Sequence, residues 1–387
     1  MAIPLKYNFR SLLQRKVSTL MTTLSIALVV AIFIGVMSLA TGLENALVSS
    51  GNPSNILVRR RGSDSELSSF VTREAFQILK YLPGVKAGAS GEPLASQELV
   101  VIVNLLKRGQ QQGSNVTIRG LSAVGLRMRP QVRVVEGRMF QQGLPEIIVS
   151  RNISNRFQNA GIGDSIHFGK SDWKVTGLFE AGNTAFDSEI WADYNQVGAE
   201  FNRQSSSSVL LSATSQAVVP SIIDRIEKDR RYNLMAQSET AYYAEQTGAA
   251  APIKAMGTFI ALVMGIGACF AAMNTMYAAV TYRTQEIATL RILGFKRRNI
   301  LLSFLTESLL LAMVGGIMGC LLVLPVNGIT TGTANWQTFS ELTFAFQITP
   351  NLLLDGLLFA FLMGLLGGIL PARQASKQLP AAALREA

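Results

Sequence analysis

Residues 18–41 read STLMTTLSIALVVAIFIGVMSLAT, the middle of a run of 27 residues between Lys16 and Glu44 that carries no charged side chain. A helix crossing about 30 Å of hydrocarbon needs about 20 mostly apolar residues, so this stretch is long enough to span a bilayer. Three more runs follow. Ala255 to Tyr282 is uncharged, LLLAMVGGIMGCLLVLPV (309–326) lies in a charge-free stretch between Glu307 and Glu341, and LLFAFLMGLLGGILPA (357–372) lies between Asp355 and Arg373. Four such runs are not the pattern of a soluble core. The first also contains Ser38-Leu39-Ala40, the small-x-small form of a signal cleavage site. A signal's apolar region is about 7–15 residues, however, so an uncleaved anchor is expected.

Composition agrees. The chain has 387 residues, 49% hydrophobic and 16% charged, against roughly 25% charged in an ordinary soluble domain. Its net charge of +10 would suit a nucleic acid or a membrane surface, and only its distribution decides. Residues 1–19, 283–300 and those after 372 hold 12 basic and two acidic side chains, residues 42–254 hold 23 and 20, and 327–350 holds no Lys or Arg. By the positive-inside rule both termini and the 283–300 loop are expected in the cytoplasm of a cell (inner) membrane protein. The reading is a four-helix membrane protein with a large extracytoplasmic α/β domain inserted between helices 1 and 2. Its expected parts are a cytoplasmic segment 1–17, a span 18–41, the extracytoplasmic domain 42–240, a stalk helix 241–254 and a second span 255–282. A cytoplasmic helix and loop 283–298, a span 301–326, an extracytoplasmic loop 327–350, a span 351–372 and a cytoplasmic tail 373–387 complete it. No cytoplasmic piece is large enough to fold alone, which argues against a nucleic-acid partner.

Within the large domain, alternating apolar runs and Gly/Pro/Asn breaks predict a mixed fold. Strands are expected at 55–60, 97–106, 116–121, 146–150, 164–168, 173–179 and 208–214, with helices at 72–81, capped by Thr72, and 219–229. Two β-α units from the ends of the domain should pack together, with residues of about 136–200 inserted as a second subdomain. The domain has no cysteine; Cys269 and Cys320 fall in predicted spans and read as apolar packing residues.

Catalytic chemistry is not visible. The sole histidine, His167, has no Cys, Asp or second His at ligand spacing, so neither a metal site nor a triad is expected. GDSIHFGKS (163–171) has five residues between its glycines where a phosphate-binding loop needs four.

The stretch YRTQEIATLRILGFKRRNI (282–300) is more telling. Ile287, Leu290 and Leu293 are spaced to form an apolar stripe on a short helix. Gly294 is placed to end it in the left-handed conformation, and Lys296, Arg297 and Arg298 follow. Such a helix could lie in the headgroups or dock into a partner's groove.

RTQEIATLRILG (283–294), FLTESLLLAMVGGIMG (304–319) and the tail PARQASKQLPAAALR (371–385) resemble ABC transporter permeases of the macrolide-exporter and lipoprotein-release type, called MacB-like or FtsX-like. NFRSLLQRKVSTLMTTLSIALVVA (8–31) and, more loosely, EGRMFQQGLPEIIVSRNISNRF (136–157) are similar to the same family. The resemblance implies that 283–294 is a coupling helix seated on an ATPase, with Ile287, Leu290 and Leu293 as its ridge and Arg283, Glu286, Arg291 and Gly294 around it. It implies a working unit of two permeases, a homodimer or paralogous heterodimer, with two ATPases, and action by mechanotransmission to the exported domain. Members that fuse the two parts begin with about 250 further residues absent here, so a separate ATPase subunit is expected to bind ATP. No cofactor or catalysis is then expected on this chain, and a periplasmic adaptor is a further candidate partner. Extraction of lipoproteins or membrane lipid from the outer face, and scaffolding of a cell-wall hydrolase, are the alternatives.

AYYAEQTGAAAPIKAMGTF (241–259) reads as a helix running into the second span, kinked at Pro252. Gly315 with Gly319, and Gly364 with Gly368, have close-packing spacing, either at a dimer seam or within one subunit. Glu307 at the start of the third span needs a partner, and a loop arginine is the expected one.

Overall fold

The computed structural model describes residues 16–335 and 339–378. The basic residues expected at the two ends, Lys6, Arg10, Arg15 and Arg385, lie outside these residues, as does the part of the tail motif after 378. In chain order the elements are α1 (Lys16–Val48), β1 (Asn55–Arg60), α2 (Arg73–Leu79), β2 (Ala95–Leu106), β3 (Gly113–Leu121), α3 (Ala123–Arg127), β4 (Arg133–Gly137) and β5 (Glu146–Ser150). Then come α4 (Arg151–Arg156), β6 (Ser165–Phe168), β7 (Ser171–Glu180), β8 (Glu189–Asp193), α5 (Tyr194–Glu200), β9 (Ser208–Ser212), α6 (Val219–Lys228) and β10 (Leu234–Ser238). The last are α7 (Glu239–Gln246), α8 (Ala250–Tyr282), α9 (Thr284–Ile292), α10 (Arg297–Val323), β11 (Thr330–Ala334), β12 (Glu341–Ala345) and α11 (Pro350–Lys377). Two compact units result among the described residues: a helical one of 16–41, 251–328 and 346–378, and an α/β one of 42–250, 329–335 and 339–345.

In the helical unit α1, α8, α10 and α11 are each long and apolar enough to cross a membrane. Their inward faces interlock through Ile26, Val30, Ile34, Ala268, Ala312, Ala360 and Met363. The glycine pairs work inside one subunit. A Cβ on Gly315 or Gly319 would meet α1 at Thr23 O (2.9 Å) or Ala27 O (2.6 Å), and one on Gly364 or Gly368 would meet Ala312 or Ser308 of α10, each at 2.5 Å. Because only a hydrogen fits, the backbones come close enough for Ser308 Oγ to donate to Gly364 O across the seam at 2.7 Å.

In the α/β unit one ten-stranded sheet runs β10-β1-β9-β2-β3-β8-β5-β7-β4, with β6 on β7. The end units do pack together: β1 lies between β9 and β10, and α2 and α6 share a core with them through Ala75, Leu79, Val219, Ile222 and Ile226. Thr72 caps α2 by accepting from Ala75 N. The middle segment is not a separate sheet, because β8 pairs in parallel with β3 and carries the ladder onward. Its core takes Val101, Val103 and Ile118 from β2 and β3 together with Ile147, Val149, Trp173 and Ile190. The strands β4, β8 and β10 are additions to the sequence expectation.

Burial of charge marks the junction of the two halves. Arg119 on β3 is bidentate to Glu189 of β8 (2.8 and 2.8 Å) and to Glu66 (3.0 and 3.1 Å), and also reaches Glu98 of β2 at 2.8 Å. Arg129 takes Glu98 at 2.5 and 2.8 Å and lies 3.7 Å from Glu239 at the start of α7. Burial penalises the Arg119 and Arg129 charges, yet the surrounding glutamates more than offset it and hold both guanidinium pKa values up. Glu239 also accepts from Asn52 N (3.0 Å) and Asn55 Nδ2 (2.9 Å), just beyond α1. The chain passes so close there that a Cβ on Gly51 would sit 2.7 Å from the Thr240 backbone.

Two expectations are corrected. The stalk is not one helix kinked at Pro252: α7 ends at Gln246, a single 3₁₀ turn occupies Thr247–Ala249, and α8 begins at Ala250. Pro252 falls in the first turn of α8, where a missing N–H removes no helix bond, so the break sits at Thr247-Gly248 instead. The 327–350 segment is not a plain loop, for β11 and β12 form an antiparallel hairpin within it. Glu341 of that hairpin is ion-paired to Arg156 and to Lys107 (2.7 Å) and accepts from Ser114 Oγ at 2.7 Å.

Candidate functional site

Helix α9 stands between two membrane-length helices and is set off by a break at Arg283, whose φ of −107° and ψ of 18° leave the helical range. Arg283 is buried. Its Nε donates to Glu286 Oε2 and its Nη1 to Glu307 Oε2 on α10, both at 3.0 Å, and its guanidinium lies 5.4 Å from the Phe304 ring centre. The expected loop partner of Glu307 is thus Arg283, and Glu286 braces the same group from one turn on.

The three residues of the expected ridge do not share a face. Ile287 is 2% exposed and packs with Met276, Val280, Ile300, Phe304 and Ala375 of its own chain. Leu290 is half-buried, and Leu293, at the helix end, is 70% exposed. The physical reason is precession: at 3.6 residues per turn, steps of three fall short by about 60° each, so Ile287 and Leu293 end up about 120° apart. The outward side instead carries Gln285, Glu286, Thr289, Ile292 and Leu293. Beyond it, Gly294 is left-handed at φ 94°, Phe295 N closes onto Leu290 O at 3.1 Å, and exposed Lys296, Arg297 and Arg298 start α10. Arg291 is half-buried and donates to Phe295 O at 3.4 Å. The result is a short helix anchored by one buried ion pair and one isoleucine, presenting two exposed apolar side chains beside three cations. The sequence stripe left out Ile292, because stripe counting cannot tell which side of a short helix the bundle takes.

His167 does face a carboxylate the sequence spacing did not suggest, Asp172 across the β6–β7 hairpin at 2.8 Å, but both are exposed. No group of three metal-ligating side chains occurs among the described residues. In the 163–171 loop Lys170 N and Ser171 Oγ both donate to the Glu200 carboxylate.

Four membrane-length apolar helices, a large α/β domain between the first two and a short anchored helix between the second and third define a multi-pass membrane protein. The MacB-like periplasmic core domain model matches residues 19–229, more than half of the chain, and the FtsX-like permease C-terminal model matches 258–380. The chain belongs to this family of ABC transporter permeases. It is 28% identical over 403 residues to the macrolide export ATP-binding/permease protein MacB of Brucella abortus (strain 2308), covering 95% of this chain and 57% of that protein. It is 25% identical over 406 residues to the uncharacterized ABC transporter permease YknZ of Bacillus subtilis (strain 168), covering 97% of this chain and 96% of that one. The chain therefore spans little more than half of the MacB relative's length. Among solved structures, the extracellular domain of the noncanonic ABC-type transporter YknZ from Gram-positive bacteria aligns with a TM-score of 0.36 at 18% identity, over 48% of this chain and 100% of that one.

Proposed function

We propose that this chain is the permease subunit of an ABC export system in the cell (inner) membrane, with α9 on the cytoplasmic side as the coupling helix for a separate ATPase. The observation that carries the reading is the anchored, outward-facing end of α9: Ile292 and Leu293 exposed at 62% and 70% beside Lys296, Arg297 and Arg298. An apolar knob with a basic rim suits an apolar groove with acidic edges on the ATPase. Push on α9 reaches α10 through Arg283 and Glu307, so the helices respond together. In the α/β domain, Glu239 ties the residues following α1 to the start of α7 and faces Arg129, which gives movement at the roots of the domain a route into its sheet. Substrate handling then occurs at that domain, by mechanotransmission.

The test is a pair of variants, Leu293→Asp and Leu290→Asp, reconstituted with the ATPase. Leu293→Asp should abolish co-purification and stimulation of ATP hydrolysis, and Leu290→Asp, half-buried, should weaken both. Unchanged co-purification and stimulation in both variants would overturn the assignment.

A further inference from the structure

The β11–β12 hairpin lies against the sheet face that carries the buried ionic cluster, and a cavity of about 40 Å³ is enclosed there. Its walls include Thr117 and Arg119 from β3, Tyr243 and Gln246 from α7, and Glu341 and Leu342 from the hairpin. Thr117, Tyr243 and Gln246 are only 8%, 5% and 6% exposed, yet each brings a polar group that no described residue meets. Neither hydroxyl makes a hydrogen bond with a described residue. Gln246 uses only its Oε1, which accepts from Asn335 Nδ2 at 3.3 Å, so its N–H groups are left over. Tyr242, on the same wall, accepts from Glu66 N at 3.4 Å and donates to no described residue. Buried polar groups gathered around one space are unfavourable unless an occupant of that space meets them.

Charge and volume narrow the choice of occupant. Around the cavity the carboxylates of Glu66, Glu98, Glu189, Glu239 and Glu341 are matched one for one by the cations of Arg59, Arg119, Arg129, Arg156 and Lys107. An added ion of either sign would break that balance in a site of low dielectric, so the occupant is neutral. It must also accept, because the unmet groups of Thr117, Tyr242, Tyr243 and Gln246 all carry donors. A water needs roughly 10–15 Å³ of such space, which gives room for about three. Organic ligands occupy pockets of roughly 300–1,000 Å³ and are far too large.

We propose that this cavity binds a cluster of about three ordered waters, which accept from the Thr117, Tyr242 and Tyr243 hydroxyls and the Gln246 amide and donate to the Glu66 and Glu189 carboxylates. Water is neutral, small, and both donor and acceptor, so one species meets both kinds of wall. Bridging waters serve nearly as well as direct hydrogen bonds. The hairpin is therefore joined to the Arg119 network by a wet seam as well as by the ion pairs of Glu341.

The experiment uses the full chain in detergent without an ATPase, so its outcome is independent of the coupling assignment. Oxidised side chains are read by mass spectrometry after a short X-ray pulse, and separately after photolysis of added peroxide. X-rays split bound and bulk water alike into hydroxyl radicals that attack the nearest side chain, whereas photolysis makes the radicals in bulk solvent. Tyr242 and Tyr243 should be oxidised by X-rays and spared by photolysis. Exposed Tyr81 should be oxidised by both, and Phe157, a ring buried in the apolar core around β2 and β3, by neither. The double variant Thr117→Val/Gln246→Leu removes two of the groups that hold the cluster and should lower the X-ray oxidation of Tyr243 to the level of Phe157. A Tyr243 that is untouched by X-rays, oxidised no more than Phe157, or oxidised equally by both sources would overturn the proposal, as would a double variant that matches its parent. If the double variant does not accumulate, the contrasts of Tyr243 with Phe157 and of X-rays with photolysis decide alone.

Discussion

Arg283 Nη1 and Glu307 Oε2 lie 3.0 Å apart across 24 residues of sequence, with side chains only 10% and 3% exposed. This is the bond that fastens the short helix α9 to α10. Removing one member of a buried pair takes a charge-assisted bond from the other while its burial remains, a loss of about 3–5 kcal/mol. Arg283→Ala and Glu307→Ala should therefore each lower the thermal unfolding temperature of the detergent-solubilised chain sharply, while the double variant Arg283→Leu/Glu307→Leu should recover much of the loss. A double variant as unstable as the sum of the two singles would show that the pair does not act as a unit.

Glycine contacts make a second contrast measurable. Gly368→Ala puts a methyl 2.5 Å from Ser308 Cβ, and Gly267→Ala puts one into open space. Overpacking of this kind costs about 1–3 kcal/mol, so Gly368→Ala should unfold at lower temperature than the parent and Gly267→Ala should not. Equal effects would mean that α10 and α11 can separate freely.

The spans, their order and most strands were legible because each rests on a local signal: a length of uncharged residues, or a period of two bounded by Gly and Pro. What was not legible depends on distant parts of the chain meeting. Arg119 reads as one charge in a strand, and only the fold brings Glu66, Glu98 and Glu189 to it. Residues 330–345, poor in charge and rich in Thr, lack the hydrophobic alternation that marks a hairpin. The same limit applied to the candidate site: the composition of 283–298 marked it as special, but which side of α9 is buried follows from α8, α10 and α11, not from the helix itself.

The buried carboxylates should divide in their response to pH. Burial pushes the Glu239 pKa above its ordinary value, a rise that Arg129 and the Asn52 and Asn55 donors only partly offset. Its contribution is therefore fully present below about pH 4.3 and is lost as pH rises through the folded pKa. For Glu66 burial also pushes upward, but Arg119, Ser208 and Arg129 more than offset it, so its pKa is lowered. That contribution is present above the ordinary carboxylate range and is lost as pH falls through the folded value. Unfolding temperatures between pH 4 and 8 should then show Glu239→Gln gaining on the parent as pH rises, and Glu66→Gln trailing it most near neutrality, by about 3–5 kcal/mol. Variants that move in the same direction would refute this division.

The hairpin of β11 and β12 offers a local test of the same physics. Glu341 is only 7% exposed as a side chain and holds Lys107, Arg156 and Ser114 at once, while Thr343 N donates to Ser188 Oγ at 2.6 Å, in the 3₁₀ turn that precedes β8. Burial alone would raise the Glu341 pKa, but Lys107, Ser114 and Arg156 pull it below the usual value, so its hold on the hairpin exists above the ordinary carboxylate range and fails as pH falls through the lowered pKa. Glu341→Gln removes the charge while keeping the shape. The expected loss of about 1–3 kcal/mol should appear as roughly 5- to 150-fold faster amide exchange in 330–334 and 341–345, with the sheet strands β1 and β9 unchanged. Acidification of the parent should reproduce the same local opening. Exchange in the hairpin that ignores both the substitution and the acid would mean that Thr343 and Ser188, and not the carboxylate, keep it in place.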